Sequence, residues 1–244
     1  MYHGCLTQHP ARTCTAHVRR RDFLVDALGR KESESVNYNF VIKGSKRRNV
    51  APQGFLDHDT FAVHMTTPRP DGWAPPEPPQ LMGEKVIRLD FETNGLKWWD
   101  GEKPVGLAYF LPQSGRKGYL PFGHEGGGNL SEEVVKEWAR RELPGVHMDN
   151  SNTKFDIHQS RSWGVDFVEL GMSFGDVQHR AALLDDLRFQ FGIDQLAKEF
   201  LGEDEGKYDL GIRDKGLLWK LPAWCVEPYA IQDVELVDKL CAYM

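Results

Sequence analysis

The chain has 244 residues, a size for one large domain or a domain with an appendage, and its 40% hydrophobic content is enough for a core and excludes wholesale disorder. No run approaches the length of a membrane span, so a soluble protein with no membrane partner is expected. The net charge of −6 is uneven: residues 1–80 carry 11 Lys and Arg against 8 Asp and Glu, while residues 81–244 carry 19 against 28.

Met1 to Arg21 contain several Arg and no apolar h-region, so no secretory signal is expected. Cys5, Cys14, Cys225 and Cys241 are scattered and form no CxxC, which fits reduced thiols in the cytosol. Cys5, His9, Cys14 and His17 match no common zinc spacing closely, and zinc is disfavoured. A short helix near Asp22 to Leu28 and a short strand near Asn37 to Ile42 are the only elements expected early. Arg19-Arg20-Arg21 and the basic cluster from Lys43 to Arg48 offer non-specific attraction to a nucleic-acid backbone.

Six prolines fall between Pro68 and Gln80, and such a stretch is stiff, extended and poor at joining a sheet. It is read as a linker that closes an irregular N-terminal extension, residues 1–80, ahead of a second domain, residues 81–244. There Val86 to Phe91 reads as a largely buried strand, Pro104 to Leu111 as a second, and Tyr119 to Phe122, after a turn at Gln113 to Gly118, as a third. Ser131 as N-cap, Glu132 and Glu133 in the first turn, and Arg140 and Arg141 before Pro144 predict a helix from Glu132 to Leu143. Val146 to Met148 reads as a short strand. Helices are predicted over Thr153 to Trp163, Asp176 to Asp185, Ile193 to Leu201, and from Pro228, a favoured first-turn residue, towards Met244. Strands first, then helices with one more strand, indicate an α/β or α+β domain with a mixed sheet.

Three places in this pattern carry chemistry. Asp90 and Glu92 are two apart on a strand and leave one face of it. Five other acidic pairs share that spacing, and what distinguishes this one is its place at the end of an apolar, hence central, strand, where α/β sheets set their ligands. Two buried carboxylates side by side repel one another unless a cation joins them. Asn152 and Asp156 are four apart, as are Tyr229 and Asp233, so on helices each pair shares a face. Taken singly, the first pair reads equally as a helix cap and a surface acid, and the second as an amphipathic helix with a half-buried tyrosine. Taken together, four carboxylates can hold two Mg²⁺ or Mn²⁺ ions, and two such ions can cut a phosphodiester. Tyr229, with an ordinary pKa near ~10, suits orienting a water better than removing its proton. An acidic domain is less odd for a nucleic-acid enzyme if its acids are metal ligands, since the cations then recruit phosphate. Trp98-Trp99 offers base stacking, with packing at the sheet edge the favoured alternative. His58, His64, His124, His158 and His179 show no partner pattern.

In order and spacing, Leu89-Asp90-Phe91-Glu92-Thr93-Asn94-Gly95-Leu96, then Asn152 to Asp156, then Tyr229 to Asp233, resemble the 3′→5′ proofreading exonuclease domain of family-A DNA polymerases, within the DEDDy group of RNase H-like exonucleases. The resemblance covers about residues 84–244, with Gly175 to Leu184 and Ile193 to Gly202 similar to the family's connecting helices. It implies an RNase H-like mixed sheet flanked by helices. It implies Asp90, Glu92, Asp156 and Asp233 as ligands of two Mg²⁺ or Mn²⁺ ions, Tyr229 as the water-orienting residue, and Thr93, Leu96 and Asn152 at the 3′-terminal nucleotide, with Leu96 wedged between the last bases. The implied reaction releases nucleoside 5′-monophosphates from single-stranded or frayed DNA 3′ ends, in replication or proofreading, beside a DNA polymerase subunit or domain. A cytoplasmic place of work follows, at a nucleoid or a viral replication site. An RNase D-like RNA exonuclease and a non-catalytic polymerase accessory module are the alternatives. Gly123 to Gly128 and residues 1–80 match nothing in that family.

Overall fold

The computed structural model describes residues 58–202, 210, 212 and 215–244. The helix and strand expected near Asp22 and Asn37, the basic clusters and the Cys5-to-His17 group lie outside them. A compact unit runs from Pro52 to Met244.

At its centre is a five-stranded sheet in the order β3-β2-β1-β4-β5, with β1 Val86–Thr93, β2 Pro104–Leu111, β3 Arg116–Pro121, β4 His147–Asn150 and β5 Ser173–Asp176. The first three strands form the expected antiparallel meander, and β4 and β5 add in parallel beyond β1. Helix α1, His58–Thr66, precedes the sheet; α2 Glu132–Glu142, α3 Thr153–Trp163, α4 Val177–Leu184, α5 Ile193–Leu196 and α6 Ala223–Tyr243 follow. This is the RNase H-like mixed α/β sheet flanked by helices. No described helix is long and apolar enough to cross a membrane.

Strand alternation divides β1 between two cores. Ile87, Leu89 and Phe91 join Leu107, Trp138, Met148, Trp163 and Phe167 in the larger core. Phe91 stacks on Phe167 at 5.7 Å and meets Trp163 edge-on. The opposite parity, Arg88, Asp90 and Glu92, faces α6, which packs against β1 and β2 through Val226, Tyr229, Ala230 and Val234. Arg88 is buried there and paired with Asp149 at 2.5 Å and Asp238 at 3.1 Å. Gly175 leaves the space that the Asp149 carboxylate fills, where a Cβ would lie 1.9 Å from Oδ1.

Four boundaries differ from expectation. β3 starts at Arg116 rather than Tyr119, because an edge strand tolerates the exposed Arg116 and Lys117 that read as a turn. β5 was not foreseen: four residues ending in the aspartate that caps the next helix give no alternation to read. The helix predicted over Ile193 to Leu201 divides into α5 and a π turn, Ala197–Leu201, closed by Gly202 at φ 65°. α6 starts at Ala223, five residues before Pro228, which therefore stands inside the helix and removes the bond its N–H would give to Trp224.

The proline-rich stretch runs along the domain. The Trp138 indole donates to the Pro79 carbonyl at 2.6 Å, the Leu81 N–H donates to Glu142 at 3.0 Å, and the Trp73 indole donates to Glu227 at 2.7 Å. Gly123 to Gly128, unassigned from sequence, is the joint between β3 and α6. The Ala223 N–H donates to the Gly127 carbonyl, the Glu125 N–H donates to Trp219, and a Cβ on Gly126 would lie 2.3 Å from the Pro222 nitrogen. Within this joint His124 is buried, its Nε2 2.6 Å from the buried Tyr119 hydroxyl. Burial pushes His124 down to about 4, partly offset by the carbonyls of Leu221 and Leu218.

That depression gives stability a pH dependence. As pH falls through 6.5 the unfolded chain takes up a proton at His124 that the folded chain refuses until about 4, so stability is lost across that window. The contribution is up to about 3 kcal/mol. Urea midpoints measured from pH 7 to pH 4 are expected to fall less steeply in His124→Gln, which keeps an acceptor for Tyr119.

Candidate active site

The acids meet where β1 ends under α6. Asp90 and Glu92 leave β1 on its α6 side, and α6 returns Asp233; one carboxylate oxygen from each lies within 4.8 Å of the others, with Glu92 and Asp233 buried. β1 carries an irregularity between Glu92 and Thr93 in its pairing with β2, which bends the strand as it leaves the site. A cleft of about 510 Å³ opens here, lined by Asp90, Glu92, Thr93, Leu96, Tyr229 and Asp233 among others.

Asp156 stands behind this trio. From the first turn of α3 its Oδ1 accepts the Phe91 N–H at 3.0 Å, and its Oδ2 accepts the Asn150 amide at 2.7 Å. The same amide reaches Asp90 Oδ1 at 3.2 Å, so Asn150 ties the fourth acid to the first. Burial, and then the charge of Asp90, hold the Asp156 carboxyl well above the usual carboxylate range, against the lowering effect of those donors. A cation bound to the group would reverse that logic.

Tyr229 is buried beside Asp233. Burial comes first in raising its phenol far above the ordinary value, followed by the charges of Asp233, Glu92 and Asp90 and a hydrogen bond with Asp233. It is a neutral phenol at pH 7. Lys215 Nζ donates to its oxygen at 2.9 Å from a 3₁₀ turn, Lys215–Lys220, and also lines the cleft.

Of the residues expected at a terminal nucleotide, Thr93 and Leu96 line the cleft, and Leu96 is 73% exposed. Thr93 Oγ1 donates to the Gly95 carbonyl at 2.7 Å. Asn152 is not on a helical face with Asp156. It is the left-handed residue before α3, φ 61°, exposed and outside the cleft lining, because Asp176 takes over the capping by accepting the Asn152 and Thr153 N–H groups at 3.3 and 2.9 Å.

Sequence reasoning missed Asn150 and Lys215. An amide at the end of the strand parallel to β1 was available as a signal for Asn150. Lys215 lies in a stretch without periodicity, and its position is set wholly by tertiary packing.

An RNase H-like α/β sheet with an acidic cleft at the end of its central strand defines the class. No family model matches the chain. In sequence it is similar to a "DNA-directed DNA polymerase" of Pseudomonas phage M6, 30% identical over 176 residues, which are 65% of this chain and 26% of that protein. It is also similar to "DNA polymerase DpoZ" of Salmonella phage PMBT28, 29% identical over 125 residues, 50% of this chain and 18% of that protein. The chain spans about a quarter or less of the length of these relatives. Among solved structures, Brucella melitensis NrnC bound to pGG superposes with a TM-score of 0.48 at 15% identity, covering 68% of this chain and 74% of that one. The chain is thus similar in sequence to part of the length of phage DNA polymerases.

Three carboxyl groups that bring one oxygen each within 4.8 Å of one another form an all-oxygen donor set that fits a divalent cation. Asp90→Asn and Asp233→Asn are each expected to be at least as stable as wild type in EDTA. Mg²⁺ or Mn²⁺ at a hundred-fold excess over Kd is expected to add about 2.7 kcal/mol to wild type. A thermal melt reads this as a rise of roughly 5–10 °C, lost in both variants.

Proposed function

We propose that the domain is a 3′→5′ exonuclease that hydrolyses the terminal phosphodiester of single-stranded or frayed DNA with two Mg²⁺ or Mn²⁺ ions and releases nucleoside 5′-monophosphates in replication or proofreading. The observation that carries this reading is the meeting of Asp90, Glu92 and Asp233 in a cleft, with Asp156 joined to Asp90 through Asn150 and the Tyr229 phenol against Asp233. The similarity to phage DNA polymerases supports DNA over RNA, and supports work beside a polymerase domain at a cytoplasmic replication site.

In this reading Asp90, Glu92, Asp156 and Asp233 would hold the ions. When bound, the ions supply an activated hydroxide and stabilise the leaving oxygen. The chain's own residues do the positioning. Asn150 keeps Asp156 aimed at Asp90, and the Phe91 N–H fixes its other oxygen. Tyr229 presents a neutral phenol to the attacking water, suited to orienting it. Lys215 anchors that phenol and brings one positive charge to the wall where a phosphate would lie. Thr93 and Leu96 take the terminal nucleotide from the cleft rim, and Asn152 lies further out, before α3. We place the catalytic domain at residues 81–244 and the extension at residues 1–80, with α1 docked on the domain through His64 and the Leu210 carbonyl at 2.7 Å.

A labelled oligonucleotide with its 3′ end blocked is expected to survive Mg²⁺ and Mn²⁺, and its 5′-blocked counterpart to be shortened stepwise; EDTA stops the reaction. Asp90→Ala and Asp233→Ala are each expected to reduce cleavage to background while keeping the far-UV signature of the fold. Normal cleavage by either variant would sink the reading, and faster digestion of matched RNA would move it to the RNA branch. Lys215→Ala is expected to lower kcat by about a hundred-fold. Its effect should be less than additive with Tyr229→Phe, because the two side chains act as a unit.

A further inference from the structure

The loop that leaves β1 is an arch closed by its own hydrogen bonds. The Asn94 N–H donates to the Lys103 carbonyl at 3.0 Å, and the Lys103 N–H donates back to Asn94 Oδ1 at 2.7 Å. Inside the arch the Lys97 N–H donates to the Glu102 carboxylate, which fills the space that Gly95 leaves open; a Cβ there would overlap it at 2.1 Å. A single 3₁₀ turn, Trp98–Asp100, forms the crown.

Two tryptophans stand on that crown, and the structure treats them differently. The Trp98 ring lies parallel to the His158 imidazole, 4.1 Å between centroids and 3° between planes, so its packing role is satisfied. Trp99 meets Trp98 edge-on at 5.4 Å and is 67% exposed. α3 supplies the surroundings. His158 shares a helical face with Lys154 and Arg161, four residues before and three after, while Asp156 is turned inward to the acids. Lys154, Arg161 and, on the arch, Lys97 are exposed; Arg161 also pairs with Asp166 at 2.8 Å. The arch is continuous with the cleft, because Gly95 and Leu96 line it.

An exposed indole backed by a stacked layer and fringed by cations suits one occupant. Bases of a single strand stack on aromatic faces, and their phosphates seek the neighbouring ammonium groups. A protein partner would want a wider apolar surface than this one, whose other exposed members are Leu96, Lys97, Asp100, Gly101 and Lys103. The closed arch also holds Trp99 in place before binding, which cuts the entropy lost on contact. We infer that the Trp98–Trp99 arch is a stacking platform for single-stranded DNA, taking the bases that lie 5′ to the nucleotide held in the cleft. Which end of the strand enters the cleft rests on the exonuclease reading above; the platform itself is tested without cleavage.

The probe is 5′-fluorescein oligothymidylate of twelve nucleotides, its binding followed by polarisation in Ca²⁺ and in EDTA. Trp99→Ala is expected to weaken binding by about ten-fold, and Trp99→Phe to recover most of the loss. Phe189→Ala, which removes a 94% exposed aromatic far along the chain, is expected to bind as wild type. Binding by Trp99→Ala within about two-fold of wild type overturns the inference, as does an equal loss in Phe189→Ala. With Mg²⁺, the ratio of kcat/KM for the twelve-mer over the trimer is expected to fall in Trp99→Ala by about the same ten-fold; an equal loss on both lengths marks a structural role and overturns it. Tighter binding of oligouridylate than of oligothymidylate overturns the assignment to DNA. A wild type that binds through Trp99 yet cuts nothing sinks the exonuclease reading and upholds the platform.

Discussion

Arg88, Asp90 and Glu92 leave the same face of β1, and α6 lies across that face. A strand at the centre of a sheet would normally hide apolar side chains on both sides. Here one side is given to charge. Removing such groups from water is costly unless each finds a partner of opposite sign. Arg88 finds two, Asp149 and Asp238. Asp90 and Glu92 gather with Asp233, another acid. The two ends of one strand face are therefore opposite in character: an ion-paired cluster around Arg88, and a gathering of carboxyl groups at the cleft. The second makes chemical sense as a cation site, and the first holds α6 in register over it.

The remaining parts of the site are consequences of that placement. Because β4 runs parallel to β1, its end delivers Asn150 beside Asp90, and α3 begins at once to deliver Asp156. Because α6 presents residues four apart on one side, Tyr229 and Asp233 arrive together. Burial then makes the phenol a poor acid and Asp156 a reluctant anion, and the charge of Asp90 pushes both the same way.

Much of this was legible in the sequence. The period-2 parity of Asp90 and Glu92, the apolar run before them and the four-residue spacing of Tyr229 and Asp233 on α6 are local signals, and the structure brings those residues together in one cleft. Asn152 misled because spacing alone does not separate the last residue before a helix from the first within it, and Asp176, distant in the chain, decided that boundary. The start of α6 was misplaced because proline is favoured in a first turn, while the true start is set by a backbone bond to Gly127 across the molecule. Lys215 was invisible for a similar reason. Local propensity reads the elements well; the joints between them belong to packing.

The Gly123-to-Gly128 joint bears on how this domain changes over generations. The start of α6 is fixed by main-chain atoms: the Gly127 carbonyl holds Ala223, and Gly126 lets the Leu221–Pro222 backbone approach more closely than any Cβ allows. Main-chain contacts survive almost any exchange of side chains on the helix they anchor. The outward positions of α6 are thus free to drift while Asp233 keeps its place, and the intolerance to substitution is concentrated in a small glycine segment remote in sequence from every acid. In a diverging lineage, that segment would be among the last to change, and its loss would be an early sign that the cleft had been abandoned.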